Sequence, residues 1–343
     1  MSQAVNLARL SDVNENLPLS NRNFFIDGAF DSWYGAASAL PIALTTTAQY
    51  VSTMWVGYSG AGGAGNVNYW AGMNTAASNW LQYLDGGATY CMIWNQTTAS
   101  TGTLAARNLP YFAQRLQQVA KLASKTVTVS FKLQCSAGSD CVIPGLLAHQ
   151  NFGTGGSPSA AVILDKAVNW RVKLGDIPRR FSVRLDVPSV AGKTIGTNGN
   201  DLLQIGLWLP AGWTGTLNVM EAQIEISSPN CSDDLNGNGG APTAFEFRGR
   251  NEEALRILPY YRQVQSTVMQ HSSIAGANLG CQYVLSPPMR WTPAVSLART
   301  YTSNCAATSS HSTSAAGTFV YCTATAAGQV TQFNDTVTLD ARL

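Results

Sequence analysis

Charged side chains are scarce in this sequence. Asp, Glu, Lys and Arg make up 12% of its 343 residues, against roughly a quarter in an average soluble domain. The formal net charge is only +2, and the basic residues form no run that could follow a phosphate backbone. Nucleic acid is therefore not an expected partner, and the surface must rely mainly on hydroxyl and amide groups.

Long apolar runs are missing as well. The first twenty residues contain no apolar stretch of the kind found in a signal peptide, and nowhere do about eighteen uncharged apolar residues follow one another. We therefore expect no signal peptide and no membrane insertion. Hydrophobic residues still make up 45% of the chain, enough for roughly two domains with buried cores.

Cysteine is too infrequent for a disulfide-dense scaffold, and the odd count of seven leaves at least one thiol free or paired between chains. Two pairs are close in sequence. Cys135 and Cys141 flank a short turn-like segment, and Cys305 and Cys322 flank a loop rich in Ser, Thr and Ala. Either pair could close in oxidising surroundings, but buried thiols are the favoured interpretation for a protein made in a reducing cytoplasm.

Carboxylates are rare in the aromatic-rich first third. No Asp or Glu lies between Asp31 and Asp85 or between Asp85 and Asp140, whereas glycoside hydrolysis uses two carboxylates flanking the scissile bond. Asp27 and Asp31 are close in sequence, but a structural turn at the start of a strand explains them better. The sequence therefore offers no convincing hydrolytic pair.

Three other patterns lack the context that their chemistry needs. The segment Gly60–Gly65 matches the glycine spacing of a dinucleotide-binding loop, but the next residues, NVNYWAGMN, do not resemble the start of a helix. The stretch around Ser59 has alanine where a nucleophile elbow has its last glycine. The histidines His149, His271 and His311 show no zinc-ligand spacing. We therefore predict that the protein is not an enzyme.

One polar loop matches the first half of a calcium-binding loop. Asp234, Asn236 and Asn238 alternate, so that their side-chain oxygens could converge on a hard cation. The twelfth position, however, is Phe245, and the acid comes one residue late at Glu246. A plain Asn/Gly loop is the favoured interpretation, and a Ca²⁺ site at these three residues is the alternative.

Alternation of apolar and polar residues dominates the chain and predicts half-buried β-strands. It is clearest in residues 126–133, 181–187 and 202–209 and recurs in the last residues of the chain. In residues 216–226 the apolar phase slips by one position, so we predict a β-bulge near Met220 and Glu221. The intervals between strands are typical of a sandwich or barrel.

One helix interrupts this pattern. Asn251 is a suitable N-cap, the two following glutamates suit the first turn, and Pro259 should end the helix. We expect Leu255 and Leu258 to share one face. Residues 227–244, rich in Gly, Asn and Pro, predict a connection between two domains.

Aromatic residues concentrate near the start of the chain. Five of nine tryptophans and six of twelve tyrosines precede residue 95. Several lie among Asn and Ser in predicted loops, where a flat ring could stack on a sugar while amides and hydroxyls bind its rim. Core packing is the alternative interpretation. The predicted glycan-binding residues are Tyr69, Trp70, Trp80 and Tyr83.

Six sequence blocks, in order, resemble tail-fibre-type proteins of tailed bacteriophages. The first, Asn23–Trp33 (NFFIDGAFDSW), is similar to the opening strand of that family. The others are residues 122–135, 150–158, 186–201, 244–263 and 287–297. Two departures stand out: Ser52–Trp55 replaces an Asp-Arg-Trp triplet, and Cys231–Pro242 resembles an insertion.

The resemblance implies an all-β protein. Its expected parts are a carbohydrate-binding-module-like jelly-roll β-sandwich, a short helix and a small C-terminal β-domain, commonly assembled as a homotrimer. The weakly charged strands after residue 264 favour the same assembly, because a domain this small buries little apolar surface alone. The predicted domains are a virion-docking arm at 1–20, the jelly roll at 21–228, linker and helix at 229–263, and the β-domain at 264–343.

Three functions remain open. The first is a structural virion protein of a tailed phage, assembled in the host cytoplasm: a fibre or appendage subunit that contacts other virion proteins and a host cell-surface glycan. The second is a capsid or neck decoration protein, or head fibre, with no receptor role. The third, a polysaccharide depolymerase, is disfavoured by the missing carboxylates.

We expect replacement of Trp70 or Trp80 by Ala to weaken adsorption to host cells without changing the melting temperature, if the ring stacks on a glycan. Loss of such a contact costs about 2 kcal/mol, or roughly thirtyfold in affinity. A tryptophan buried in the core would instead cost about 3 to 5 kcal/mol of stability. Thermal melts run beside adsorption assays separate these outcomes, and no change in either would eliminate the binding role.

Overall fold

The computed structural model describes residues 22–32, 41–71, 84, 90–227, 240–306 and 310–342. The chain forms two compact units, residues 1–250 and 251–343. Both consist of antiparallel sheets, and α1, Arg250–Ile257, is the only helix of the described residues. The predicted class is therefore confirmed: an all-β protein in which a jelly-roll β-sandwich is followed by a short helix and a small β-domain.

The first unit is a sandwich of two sheets. In sheet A the strand order is β1-β4-β5-β13-β7-β11; in sheet B it is β10-β8-β12-β6-β3-β2, with β9 beside β8. The strands are β1 (Ile42–Leu44), β2 (Gln49–Tyr50), β3 (Trp55–Tyr58), β4 (Ala64–Ala71), β5 (Tyr90–Thr98), β6 (Tyr111–Gln117), β7 (Thr126–Gly138), β8 (Cys141–Asn151), β9 (Val162–Ile163), β10 (Lys166–Val172), β11 (Arg179–Asp186), β12 (Leu202–Trp208) and β13 (Gly215–Ile226).

The second unit contains two three-stranded sheets. Sheet C has the order β14-β19-β16 and sheet D the order β15-β18-β17. Apolar residues of both sheets form one core around Val268, Val320 and Phe333. The alternation near the C-terminus forms a strand as far as Asp340. The strands are β14 (Tyr261–Ser272), β15 (Asn278–Val284), β16 (Ala294–Ser303), β17 (Ser310–Thr313), β18 (Gly317–Thr323) and β19 (Gln329–Asp340).

Alternating side chains build the core of the sandwich. Phe131 of β7 lies opposite Phe181 of β11 in sheet A, and sheet B contributes Phe112 from β6. Trp55 lies among these rings, with centroids 6.2 Å from Phe112 and 6.4 Å from Phe131. Full burial of such a side chain contributes on the order of 1.5 to 3 kcal/mol, so this aromatic cluster is a main source of stability.

The predicted β-bulge is present in β13. The pairing of β13 with β7 shifts register between Met220 and Gln223, and Glu221 has a φ of 45°. Beyond the bulge, β13 no longer pairs with β5. Residues 22–32 pair with it instead, since Phe24 N–H donates to the carbonyl of Ile224 at 2.8 Å and Ala222 N–H donates to Gly28 at 2.9 Å.

The first block of the sequence resemblance does not form the expected strand within residues 22–32. Asp27 and Phe30 both have a φ of 57°, which interrupts an extended backbone. The Oδ1 atom of Asp27 accepts the N–H groups of Asp31 and Ser32 at 2.9 and 3.0 Å. The structural interpretation of Asp27 is thus confirmed, and the strand prediction is wrong because the aspartate closes a turn.

A buried carboxylate joins three strands of sheet A. Glu221 in the bulge is fully buried. Its Oε2 atom lies 3.0 Å from Lys132 Nζ on β7 and 3.4 Å from Arg180 Nη2 on β11. Arg180 also donates to the carbonyl of Thr243 at 2.8 Å. The cluster therefore ties the bulge to both neighbouring strands and to the chain that leaves the sandwich.

The helix differs from its prediction in two respects. It begins at Arg250, so Asn251 lies in its first turn and is not its N-cap. Its buried side chains are Glu253 and Ile257, four residues apart on one face, whereas Leu255 is 61% exposed. Apolar spacing alone could not reveal that a glutamate occupies the inner face. The helix does end before Pro259.

The two cysteine pairs behave differently. Cys305 and Cys322 form a disulfide with a Cα–Cα distance of 6.0 Å. Cys135 and Cys141 are buried free thiols, as the favoured interpretation of these residues expected. Burial raises the pKa of both thiols, so they stay protonated at neutral pH and react slowly.

We expect Glu221→Gln to destabilise the first unit by about 3 to 5 kcal/mol, because Lys132 and Arg180 would stay buried without a counter-charge. Urea unfolding followed by fluorescence measures the loss. Arg171→Gln is the control: it breaks an exposed ion pair with Asp140, which should cost about 1 kcal/mol or less. Equal losses in the two variants would contradict the central role of Glu221.

Candidate functional site

The predicted glycan-binding residues Tyr69 and Trp70 do not lie in a loop. Both belong to β4, where they pair with Met92 and Cys91 of β5. Successive residues of a strand point to opposite sides of a sheet. Tyr69 shares the side of the buried Val67, facing sheet B. The loop prediction is wrong for them because polar Asn neighbours here belong to an alternating strand.

The other predicted site residues lie outside the described residues. This applies to Trp80 and Tyr83 and to the calcium-loop candidates Asp234, Asn236 and Asn238. Their roles stay predictions. Among the described residues, no group of three or more His, Cys, Asp or Glu side chains could hold a metal ion.

The outward side of sheet B carries a row of aromatic residues. Tyr58 of β3 lies opposite Tyr111 of β6, Tyr111 lies opposite Trp208 of β12, and Trp208 lies opposite Gly145 of β8. The neighbouring Phe112 belongs to the other side, in the core. Directly paired residues share one side of a sheet, so the aromatic row runs across three strands and ends at Gly145 of the fourth.

Two further rows follow the aromatic row along the strands. The next consists of Val56, Ala113, Gly206 and Leu147, and the third consists of Arg115, Gln204 and His149. A row of mostly short side chains therefore separates aromatic rings from polar groups. We call the outward side of sheet B with these three rows the sheet-B face.

The rings of the sheet-B face contact one another. Tyr58 and Tyr111 have centroids 5.4 Å apart, and Tyr111 meets Trp208 edge-on at 5.3 Å. The hydroxyl of Tyr111 shares a hydrogen bond with Gln204 of the third row. To reach it, the Tyr111 ring must extend over the row of short side chains. Tyr58 and Tyr111 are partly exposed, so each offers ring surface to a ligand.

A loop from β5 to β6 lies over one end of this face. Its Arg107 places its guanidinium 5.4 Å from the ring centroid of Trp208 and forms an ion pair with Asp165. Leu109 of the same loop belongs to one buried cluster with Trp208, and Leu104 and Tyr111 pack against that cluster. Trp208 is therefore buried, whereas Tyr58 and Tyr111 each keep part of their surface exposed.

His149 is neutral at physiological pH. Burial, and then the charge of Arg107, lower its pKa to about 4. Its Nδ1 atom lies 3.2 Å from Nη2 of Arg107, which suits an unprotonated nitrogen that accepts a hydrogen bond. The histidine therefore adds a neutral polar group to the face.

Asp165 has a structural role beside the sheet-B face. Its Oδ1 accepts the N–H of Ala148 at 2.8 Å, and its Oδ2 takes part in the ion pair with Arg107. The three rows of the face contain no second carboxylate with which it could form a hydrolytic pair. The chemistry available is ring stacking and hydrogen bonding.

A cavity of about 610 Å³ lies elsewhere, where β10 and β11 form the edges of their sheets. Trp170 and Phe181 line it, with ring centroids 5.5 Å apart. Two of its cations, Arg171 and Arg179, form ion pairs with the carboxylates of neighbouring aspartates. These pairs favour a structural role for the charges at this edge.

Sequence reasoning missed the residues of the sheet-B face. Residues 202–209 contain a pattern that could have identified them. Gln204 and Trp208 alternate with the apolar residues that face the core, so they lie on the other side of the strand. Residues 111–117 show the same pattern, with Tyr111 in phase with Arg115. An aromatic residue that alternates in step with the polar residues of a strand indicates an aromatic ring on the outward side of the sheet better than an aromatic residue near asparagines does.

Several solved structures share features of the fold. The C-terminal family 22 carbohydrate-binding module from Clostridium thermocellum matches at 12% identity and a TM-score of 0.34, covering 61% of this chain and 97% of the module. A putative sugar-binding protein from Bacteroides thetaiotaomicron matches at 11% and 0.35, covering 60% of this chain and all of that protein. The enzymatically active domain of bacteriophage CBA120 tailspike protein 4 matches at 11% and 0.31, covering 60% and 21%.

These similarities are too low to carry an argument about function. No protein-family model matches the chain, and no curated protein resembles it in sequence. The bacteriophage resemblance of the six sequence blocks therefore stays a prediction. The described part of the chain contains no helix long and apolar enough to span a membrane.

We expect the protein to lose about 2 kcal/mol of stability through His149 between pH 7 and pH 4.5. The folded pKa of about 4 lies below the ordinary 6.5, so in this window the unfolded chain binds a proton that the folded chain does not. Stability therefore falls as pH falls. Unfolding free energies of the protein and of His149→Gln, compared at both pH values, isolate this contribution; identical pH dependence would contradict it.

Proposed function

We propose that this protein is a non-enzymatic structural subunit of a tailed-phage virion that contacts a host cell-surface glycan through the sheet-B face. The observation that carries the glycan proposal is the juxtaposition of the partly exposed Tyr58 and Tyr111 rings with the partly exposed Arg115 and the neutral His149. Gln204 is buried and holds the Tyr111 hydroxyl. A pyranose ring presents apolar C–H groups on its flat side and hydroxyls around its rim. Aromatic rings beside guanidinium and imidazole groups complement both.

Binding without hydrolysis is the function that this chemistry supports. The neighbouring carboxylate of Asp165 is engaged by Arg107 and by the backbone, and His149 is too weakly basic to act as a general base near neutral pH. Arg115 supplies a cation on the face, which favours a glycan with an acidic substituent over a wholly neutral one.

The virion role rests on the six ordered sequence blocks and on the low charge of the chain. On this proposal the partners are other virion proteins, the subunit assembles as a homotrimer, and the N-terminal arm docks it to the particle. Labelling the subunit on intact particles and imaging them by electron microscopy tests the location. Label on the head or neck alone would favour the decoration-protein alternative.

We expect Tyr58→Ala to weaken binding to host surface polysaccharide by roughly thirtyfold, the usual effect of losing a well-placed aromatic contact. Calorimetric titration with the purified polysaccharide measures the affinity, and a thermal melt checks the fold. Tyr90→Ala is the matched control, since it removes a partly buried tyrosine of sheet A that lies in phase with the buried Trp94 and away from the sheet-B face. Equal affinities of the protein and of Tyr58→Ala would refute the assignment of this face.

A further inference from the structure

The outward side of sheet D carries two aromatic rings side by side. Phe319 and Tyr321 lie two residues apart on β18, so they share one side of the sheet. Their centroids are 5.4 Å apart and their planes differ by 23°, the most nearly parallel ring pair in the described part of the chain. Val320 and Cys322, in the opposite phase, are buried in the core of the second unit. The two rings therefore face outward, and Phe319 is 36% exposed.

Neutral polar side chains flank these rings. Gln282 of β15 and Ser312 of β17 lie directly opposite Phe319 on its two sides, and both are exposed or half-buried. At one end of the same side, Thr323 donates a hydrogen bond to the Oδ1 atom of Asn278 at 2.9 Å. Within β15, β17 and β18, no charged residue falls in the outward phase. The polar neighbours of the rings are thus uncharged amides and hydroxyls, and Val284 at the far end of β15 adds one exposed apolar side chain to the same side.

A glycine keeps one side of the second ring clear. Gly280 lies opposite Tyr321, and a Cβ at position 280 would lie only 2.7 Å from the Cβ of Tyr321, too close for non-bonded carbon atoms. The position therefore requires glycine. As a result, β15 places no side chain directly beside the Tyr321 ring. The rings of Phe319 and Tyr321 form a continuous flat strip.

We propose that this strip on sheet D is a second carbohydrate-binding site, which takes a neutral saccharide. The flat side of a pyranose stacks on Phe319 and Tyr321, and its hydroxyls bond to Gln282 and Ser312. An acidic sugar is disfavoured because the strip offers its carboxylate no cation. The site belongs to the second unit and does not depend on the function proposed for the sheet-B face.

The test uses the full chain with Tyr58→Ala as background, so that the sheet-B face does not mask the second site. Maltohexaose, cellohexaose and chitohexaose are the neutral probes, and hexagalacturonate is the acidic one. Saturation-transfer NMR and titration measure binding. We expect at least one neutral probe to bind, and Phe319→Leu to weaken it by roughly tenfold or more, whereas Phe319→Trp, which keeps a flat ring, should retain binding.

Two controls make the outcome decisive. Phe319→Leu preserves most of the apolar volume, so a loss of binding with an unchanged melting temperature identifies ring stacking and not general hydrophobic contact. Val330→Ala removes an exposed apolar residue from sheet C and should leave binding unchanged. The proposal is overturned if no neutral probe binds or if Phe319→Leu binds as tightly as its parent. It is also overturned if light scattering shows that this variant alters the oligomeric state, because the strip would then be a contact between copies of the chain.

Discussion

A buried carboxylate in the middle of a β-sheet organises the first unit. Desolvating Glu221 is costly, and the bulge of β13 offsets this cost by placing the carboxylate between Lys132 and Arg180. The same bulge separates β13 from β5 and leaves backbone groups of β13 without a strand partner. The Asn23 side chain binds two of them: it donates to the carbonyl of Ala222 and accepts from the N–H of Ile224. The first and last described segments of the unit meet there, because Arg248 donates to the carbonyl of Asn23 at 2.6 Å.

This arrangement determines which surface of the sandwich is available. Sheet A is covered on its outer side as well as its inner one: outward residues of β7 such as Ser130 and Gln134 are buried, and residues near Thr243 hydrogen-bond to Gln223 and Glu225 of β13. On sheet B the outward residues Ala113, Leu147 and Gln204 are buried as well, whereas Tyr58 and Tyr111 stay partly exposed. Its outward side is therefore where ring surface remains open, although the loop that carries Arg107 buries the neighbouring Trp208.

Features that follow from the alternation of apolar and polar residues could be predicted from the sequence, whereas features that depend on contacts between distant residues could not. The strands, the phase slip at the bulge and the approximate end of the helix follow from local patterns that tertiary structure only reinforces. The turn at Asp27 depends on hydrogen bonds from two backbone N–H groups to its carboxylate. The inner face of the helix includes Glu253, a charged residue that a polarity pattern assigns to the exposed face. Tyr69 and Trp70 differ from their prediction for a related reason: they lie in β4 and not in a loop, because the asparagines beside them belong to an alternating strand. Their role in glycan binding stays a prediction.

The positions of the ion pairs show how the few charged residues are used. Several of the few charges lie in the interior or against it: Glu221 with its two cations, Arg248 with backbone carbonyls, and Arg107 with Asp165. Those groups fix the fold, and they leave outward faces dominated by rings, amides and hydroxyls. Contacts made through such faces depend on stacking and hydrogen bonding, which salt screens far less than it screens exposed ion pairs. A surface of this kind suits ligands rich in hydroxyls. The two candidate sites, which lie in different units, share this chemistry and differ in charge, because the sheet-B face includes Arg115 and the outward phase of β15, β17 and β18 on sheet D includes no charged residue.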